Sequence, residues 1–304
     1  MVRVLLLCSL LLIVPTWSIA DDAAPAVEPI PLNPAGTVLL DKPGGRVLVK
    51  TTVCLRQGVL EMLVCPKQTK EHESILSFDG KSQVIHTGLL ALGMKPGHPA
   101  RFGEQFELPE GPELELNVVW TDAAGKEHRR PANSWIRYVT YRYFAAHLDA
   151  VPPGVIIDKG DDTLRFDPNT KELLWYGTMT AQQKKKFLAF NSEEPYRKAV
   201  ESLYDQSQPK QVECKWIFAG SSFAKTPEGK EIYLADSGSL VCVANFSDAL
   251  IDVSMESSAS DGGQLFEPYE DRIPPIETPV TLEISLAQKP ELEEVGKKTP
   301  GKVE

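Results

Sequence analysis

The sequence is poor in the residues that announce a chemistry. Cysteine occurs five times, and so does histidine, in 304 residues. No two cysteines are spaced C-x-x-C, so zinc ribbons, thioredoxin-type motifs and the iron–sulfur run C-x-x-C-x-x-C are absent. There is no G-x-S-x-G elbow of the kind that presents a hydrolase serine. Basic charge is in deficit, with 32 Lys and Arg against 42 Asp and Glu and a formal charge of −10. Such a chain repels nucleic acid and anionic lipid unless a local patch intervenes. The densest run, Lys184-Lys185-Lys186, reads as the solvated face of a helix. No apolar run reaches the length of a transmembrane helix.

What is present begins with MVRVLLLCSLLLIVPTWSIA. Arg3 supplies a charged start, Val4 to Val14 an apolar run of secretory length, and Ser18 and Ala20 the small residues of a cleavage site. Residues 1–20 are therefore expected to be a signal peptide, and the protein to be periplasmic or secreted. Cys8 lies inside the apolar run, which argues against a lipid anchor. Residues 21–36, rich in Pro and Ala, read as a flexible leader, and 288–304, charged and rich in Lys and Glu, as a disordered tail. Export permits disulfides among Cys54, Cys65, Cys214 and Cys242. Three pairings are open. A Cys54–Cys65 bridge across their own hairpin is disfavoured, because a turn at Arg56-Gln57-Gly58 sets Cys54 opposite about Leu60.

Hairpin signals recur along the chain. Val38 to Asp41, a KPGG turn and Arg46 to Leu55 form one. Val59 to Cys65, Leu114 to Trp120, Lys126 to Arg130, Trp135 to Tyr143, Val212 to Ala219, Glu231 to Ala235, Leu240 to Ala244 and Val280 to Leu286 read as strands, with Ser237-Gly238-Ser239 closing a hairpin. Trp120, Trp135, Trp175 and Trp216 sit in these apolar runs and are expected in the core. Ser82 is placed to cap a helix through Leu92, with Gly93 and Pro96 just beyond. Residues 149–209 differ in kind: TLRFDPNTKELLWYG reads as a hairpin, TMTAQQKKKFLAF as a helix capped by Thr178 or Thr180, and NSEEPYRKAVESLYDQS as a second helix. The expected fold class is α+β, an antiparallel-rich sheet with one central helix at about 82–92 and an inserted ββαα subdomain. No βαβ rhythm points to a doubly wound sheet.

The densest cluster of reactive side chains is Cys65 to Gly97. A loop carrying Lys67, Thr69, Lys70, His72 and Glu73 is expected to face a helix start bearing His86, and helix N-termini favour anions. With Ser221 these residues are candidates to hold a small anionic group. The bland alternative is that they tie the loop to the sheet. Cys65, His72 and His86, with Glu61, Glu71 or Glu73, are ligand types that zinc accepts, but C-x₆-H-x₁₃-H matches no standard zinc spacing, so no cofactor is expected. The alternative is a hydrolase using the Cys65–His86 patch, either metal-dependent or of serine type, with Ser221 or Ser222 as nucleophile, His72 or His86 as base and Glu73 as orienter. Asn245-Phe246-Ser247 fits a glycosylation sequon.

The runs GVLEMLVCPKQTKEHESIL and VIHTGLLALGMKPG, with WIFAGSSF, YLADSGSLVCVANFSDALIDV and FEPYEDRIPPIETPVTL, resemble the YdjY-domain family of exported bacterial proteins, whose function is unassigned. The resemblance implies a domain formed by 37–148 and 210–287, interrupted by 149–209. Cys65 and Cys242 both lie within matching blocks, and their disulfide is the pairing this resemblance favours. The unit at 149–209 is similar to a small module repeated in large secreted bacterial proteins. The expected role is a non-catalytic module binding a small anionic ligand or an envelope protein. No nucleic acid and no membrane span in the mature chain are expected.

Overall fold

Alternating apolar residues build the first strands. β1 (Ile30–Pro31), β2 (Val38–Asp41) and β3 (Arg46–Val53) pair in succession, and Val38, Leu40, Val47, Val49 and Val53 are buried. Side chains alternate along a strand, so this spacing makes one apolar face. Asp41 holds the turn, accepting from the Gly44 amide at 2.9 Å and pairing with Arg46 at 2.8 Å. The structure, a computed structural model, describes residues 28–158, 160, 162–257 and 265–288. The expected signal peptide at 1–20, the expected leader as far as residue 27 and the expected tail from residue 289 lie outside the described residues. The rest of the stretch read as a flexible leader, 28–36, instead holds β1 and the turn into β2, because β1 pairs with β2.

β4 (Met62–Pro66), β5 (Ser74–Phe78) and α1 (Ser82–Ala91) follow. Then come the small pair β6 (Arg101–Phe102) and β7 (Phe106–Glu107), and the long β8 (Glu113–Thr121) with its partner β9 (Glu127–Pro131). The aromatic run predicted as one strand is broken into a helical turn, Ala132–Trp135, then β10 (Ile136–Tyr138) and β11 (Tyr143–His147). β11 joins β12 (Arg165–Asp167) and β13 (Glu172–Tyr176) in a separate sheet, order β11-β13-β12. α2 (Ala181–Leu188) and α3 (Glu194–Ser207) pack on it through a second core that includes Phe144, Leu173, Trp175, Phe187, Tyr196 and Leu203. Thr180 caps α2 in a reciprocal box with Gln183, which satisfies two orphan amides.

The remaining strands are β14 (Trp216–Phe218), β15 (Phe223–Lys225), β16 (Glu231–Tyr233), β17 (Val241–Cys242), β18 (Ile251–Val253), β19 (Phe266–Pro268) and β20 (Pro279–Leu286). Eight strands close into a barrel in the order β3, β20, β8, β14, β18, β17, β4, β5 and back to β3. Neighbours are antiparallel except β17–β18 and β4–β5. The α+β, mostly antiparallel reading stands; closure is what the sequence did not show. It depends on one edge of β3, where β2 takes Arg46 to Val49 and β5 takes Thr51 to Val53. The hairpin predicted around Ser237 to Ser239 does not form. β16 pairs with β15, and the helical turn Leu234–Ser237 carries the chain away before β17.

α1 is one of three α-helices among the described residues and lies against β2 and β3. Ile85, Gly88 and Leu89 form its buried face. A Cβ on Gly88 would stand 2.9 Å from both Leu32 and Val47, so glycine permits the close approach. Ser82 is not the N-cap. Lys81 occupies that position, and the buried Ser82 hydroxyl donates instead to the Ala235 carbonyl at 3.0 Å.

The expected Cys65–Cys242 disulfide is absent, and all four described cysteines are free thiols. Cys242 stands opposite Met62 on β4. Cys65 is three residues further along that strand, which is about 10 Å at ~3.3 Å per residue and on the alternate face. A bridge requires Cα atoms within about 7 Å.

Candidate functional site

The loop after β4 is built by its own backbone. Thr69 donates its hydroxyl to the Pro66 carbonyl at 2.5 Å, and the Glu71 carboxylate accepts from the amides of Gln68 and Thr69. Burial would raise Glu71, but these amides outweigh it and hold its carboxyl below the usual range. Lys70 turns inward. Its ammonium lies 2.9 Å from Glu61 and 3.1 Å from Glu73, and 4.3 Å from the centre of the Phe246 ring. Its stem packs on Gly238, where a Cβ would come within 2.7 Å. Desolvation opposes the charged amine, yet the two carboxylates prevail and raise its pKa. Lys70 is thus already neutralised twice over, and it clasps the loop to β4 and to the chain after β16.

Lys70→Met is therefore expected to destabilise the fold by about 1–2 kcal/mol, since two part-buried carboxylates lose their common cation. Urea unfolding would measure it, and adding Glu61→Gln should recover part of the loss. An unchanged midpoint in Lys70→Met would mean that the clasp contributes nothing.

His72 points outward, 77% exposed, with Glu73 at 3.8 Å. Lys67 is exposed and has no carboxylate partner among the described residues. Cys65 and Cys54 lie beneath the loop as protonated thiols. Desolvation pushes Cys54 up to about 12, and it raises Cys65 as well. Cys54 donates its S–H to the Ser74 carbonyl at 3.1 Å.

His86 belongs to a second cluster. Its Nδ1 is 2.7 Å from the Tyr233 hydroxyl, which donates to the Gly220 carbonyl at 2.9 Å. The imidazole stands edge-on to Phe218 and Tyr233, and burial lowers its pKa, so it is neutral at pH 7. With the phenol proton on Gly220, Nδ1 must be the imidazole donor. Ser221 adopts a left-handed backbone, φ 53°, and its hydroxyl donates to the Asp248 carbonyl at 2.6 Å while accepting from the Ala235 amide at 3.1 Å.

The structure thus divides what the sequence grouped. Lys67, Thr69, Lys70, His72 and Glu73 share one loop, whereas His86 and Ser221 share the Tyr233–Gly220 network behind the turn at 234–238. Among the described residues no three His, Cys, Asp or Glu side chains are placed to hold a metal ion, and Cys65, His72 and His86 do not converge. Sequence reasoning missed Tyr233, which lies in a quoted block, and considered Glu61 only as a metal ligand, whereas it takes the charge of Lys70. The sequon is closed: Asn245 is buried, and its amide donates to Asp252 at 3.0 Å and to the Val253 carbonyl at 3.1 Å.

An eight-stranded, mostly antiparallel barrel defines the class, a β-barrel domain. Residues 38–141 match the YdjY domain, and the protein carries this domain, whose function is unassigned. Neither the curated proteins nor the solved structures contain a match. The matched segment supplies β3, β4, β5 and β8; residues 216–286 supply the other four barrel strands. No helix among the described residues is long and apolar enough to cross a membrane.

Proposed function

We propose that the protein is an exported, non-catalytic module that holds a small anionic ligand or an envelope partner. The observation that supports it is the state of Ser221. Its one proton is committed to Asp248 and its oxygen to Ala235, so no base is poised to activate it. His86, neutral and bonded to Tyr233, faces no carboxylate orienter in these bonds. At the loop, Lys67 and His72 are the exposed donors available to an incoming anion, with Thr69, Lys70 and Glu73 shaping the loop beneath them. The hydrolase alternative would require Ser221 to exchange both of its bonds. We further propose two units, the barrel from 37–148 with 210–287 and the insertion at 149–209. The separate insertion core supports this division, although β11 joins the insertion sheet from the barrel side of the boundary.

The test is intact mass of the protein exported during expression, under native and then denaturing conditions, with a p-nitrophenyl acetate assay beside it. Extra mass lost on denaturation and a background rate of hydrolysis are expected. Saturable hydrolysis abolished by Ser221→Ala or His86→Ala would overturn the non-catalytic reading.

A further inference from the structure

A cleft lies outside that patch, between β8, β9 and the helical turns Ala132–Trp135 and Glu270–Arg272. It measures about 350 Å³ and is lined by Trp120, His128, Arg130, Ser134, Trp135 and Arg272. Three observations about it converge.

The first is charge. In a chain of formal charge −10, two guanidiniums line this cleft and no carboxylate does. Arg130 donates to the Arg129 carbonyl at 3.0 Å. Arg272 donates to the Ser134 carbonyl at 3.1 Å and to Gln211 at 2.7 Å, and stacks on Tyr269 at 3.8 Å. All these acceptors are neutral, and neither arginine has an ion pair among the described residues. His128, in the same wall, does have a carboxylate beside it, its Nε2 lying 2.7 Å from Asp122.

The second is the aromatic wall. Trp120 stacks on His128 with centroids 5.0 Å apart and planes 15° from parallel, and Trp135 leans on Trp120 at 5.2 Å. Trp120 and His128 are cross-strand neighbours, so the β8–β9 ladder fixes the stack. Trp120 stays half-buried, unlike Trp135, Trp175 and Trp216.

The third is an orphan donor. Trp135 is fully buried and lines the cleft, yet its Nε1–H has no hydrogen-bond acceptor. Buried indole donors normally find one, and an unpaired donor in a wall calls for an explanation.

We infer that this cleft binds a small organic anion carrying one ring and a carboxylate or phosphate, with the anion on Arg130 and Arg272 and the ring against the half-buried Trp120, which Trp135 backs. Guanidiniums match both oxyanions with charge-assisted bonds, and a mainly aromatic cleft with a few convergent donors is the usual make-up of a small-molecule site. The inference rests on the ligand-binding reading above and places the site away from the loop.

Tryptophan emission of the full chain, titrated with benzoate, glucuronate and glucose 6-phosphate, tests it; glucose and benzamide are the neutral controls. A saturable change is expected with at least one anion and with neither control. The preferred anion distinguishes an aromatic acid, a sugar acid and a sugar phosphate. Arg130→Gln should weaken that binding by about tenfold or more, the loss of one charge-assisted bond. Arg130 is exposed and bonds only its neighbour's carbonyl, so this variant should fold; Arg272→Gln, which also loses a link to Ser134, is the second. An anion response unchanged in Arg130→Gln overturns the cleft as the site while leaving the ligand-binding reading intact. Silence toward every anion overturns the cleft and leaves a protein partner as the reading. Equal response to the neutral controls overturns the anion requirement.

Discussion

Asp252→Asn is expected to stabilise the protein by about 2–4 kcal/mol at pH 8 and by little near pH 4. Asp252 is fully buried on β18, and desolvation lifts its carboxyl to about 7 from 3.8, against the opposing bonds from the Val253 amide and Asn245. Its Oδ1 accepts from both, and the amides of Phe246 and Ala100 also favour the ionised form, though together these bonds are outweighed by burial. Between about pH 4 and pH 7 the folded protein keeps a proton that the unfolded chain has released. The folded state binds more protons there, so stability falls as pH rises through this window and is level above about 7. A shift of about three units corresponds to about 4 kcal/mol, an upper figure because native structure relaxes around a buried charge. Asparagine keeps the acceptor that Oδ1 supplies and carries no charge. Urea unfolding from pH 4.5 to 8.5 checks it. Parallel profiles for the two proteins would mean that Asp252 is not the group responsible.

Arg137→Ala is expected to cost about 3–5 kcal/mol, because it strands a buried carboxylate. Arg137 and Glu267 face each other across β10 and β19, 2.8 Å apart, with side chains 16% and 7% exposed. Thr140 also donates its hydroxyl to Glu267, at 3.2 Å. That bond alone does not replace a guanidinium. Removing both charges as Arg137→Met with Glu267→Met should cost much less than the single change, since a buried pair is far more costly to break than to replace. A double-mutant cycle by denaturant unfolding gives the coupling. If the single and double variants are equally destabilised, the pair is not what stabilises this ladder.

The contrast between these two carboxylates shows where the sequence stops being informative. Both sit in short strands rich in apolar neighbours. Glu267 meets an arginine 130 residues earlier in the chain, and Asp252 meets an asparagine and no cation. No local pattern distinguishes them. Lys70 and Lys67 show the same limit within one loop. Their spacing suggested a shared anion site, but the bend of the loop sends Lys70 between Glu61 and Glu73 and leaves Lys67 in water.

By itself the sequence determined the elements whose physics is local. The hairpin of β2 and β3, the face of β8 made by Leu114, Leu116 and Val118, the helix beginning at Ser82 and the two insertion helices follow from periodicity, turn residues and caps, which act over a few positions. The family was legible for the same reason, because its blocks are contiguous. Only the tertiary structure decided that the strands close into a barrel, that Cys65 and Cys242 stay apart, that Ser221 and His86 are bonded away, and that Arg130 and Arg272 meet beside Trp120. Each depends on which distant segments lie edge to edge. Strand register and closure are set by the packing of the whole core, and no short window of sequence carries that sum.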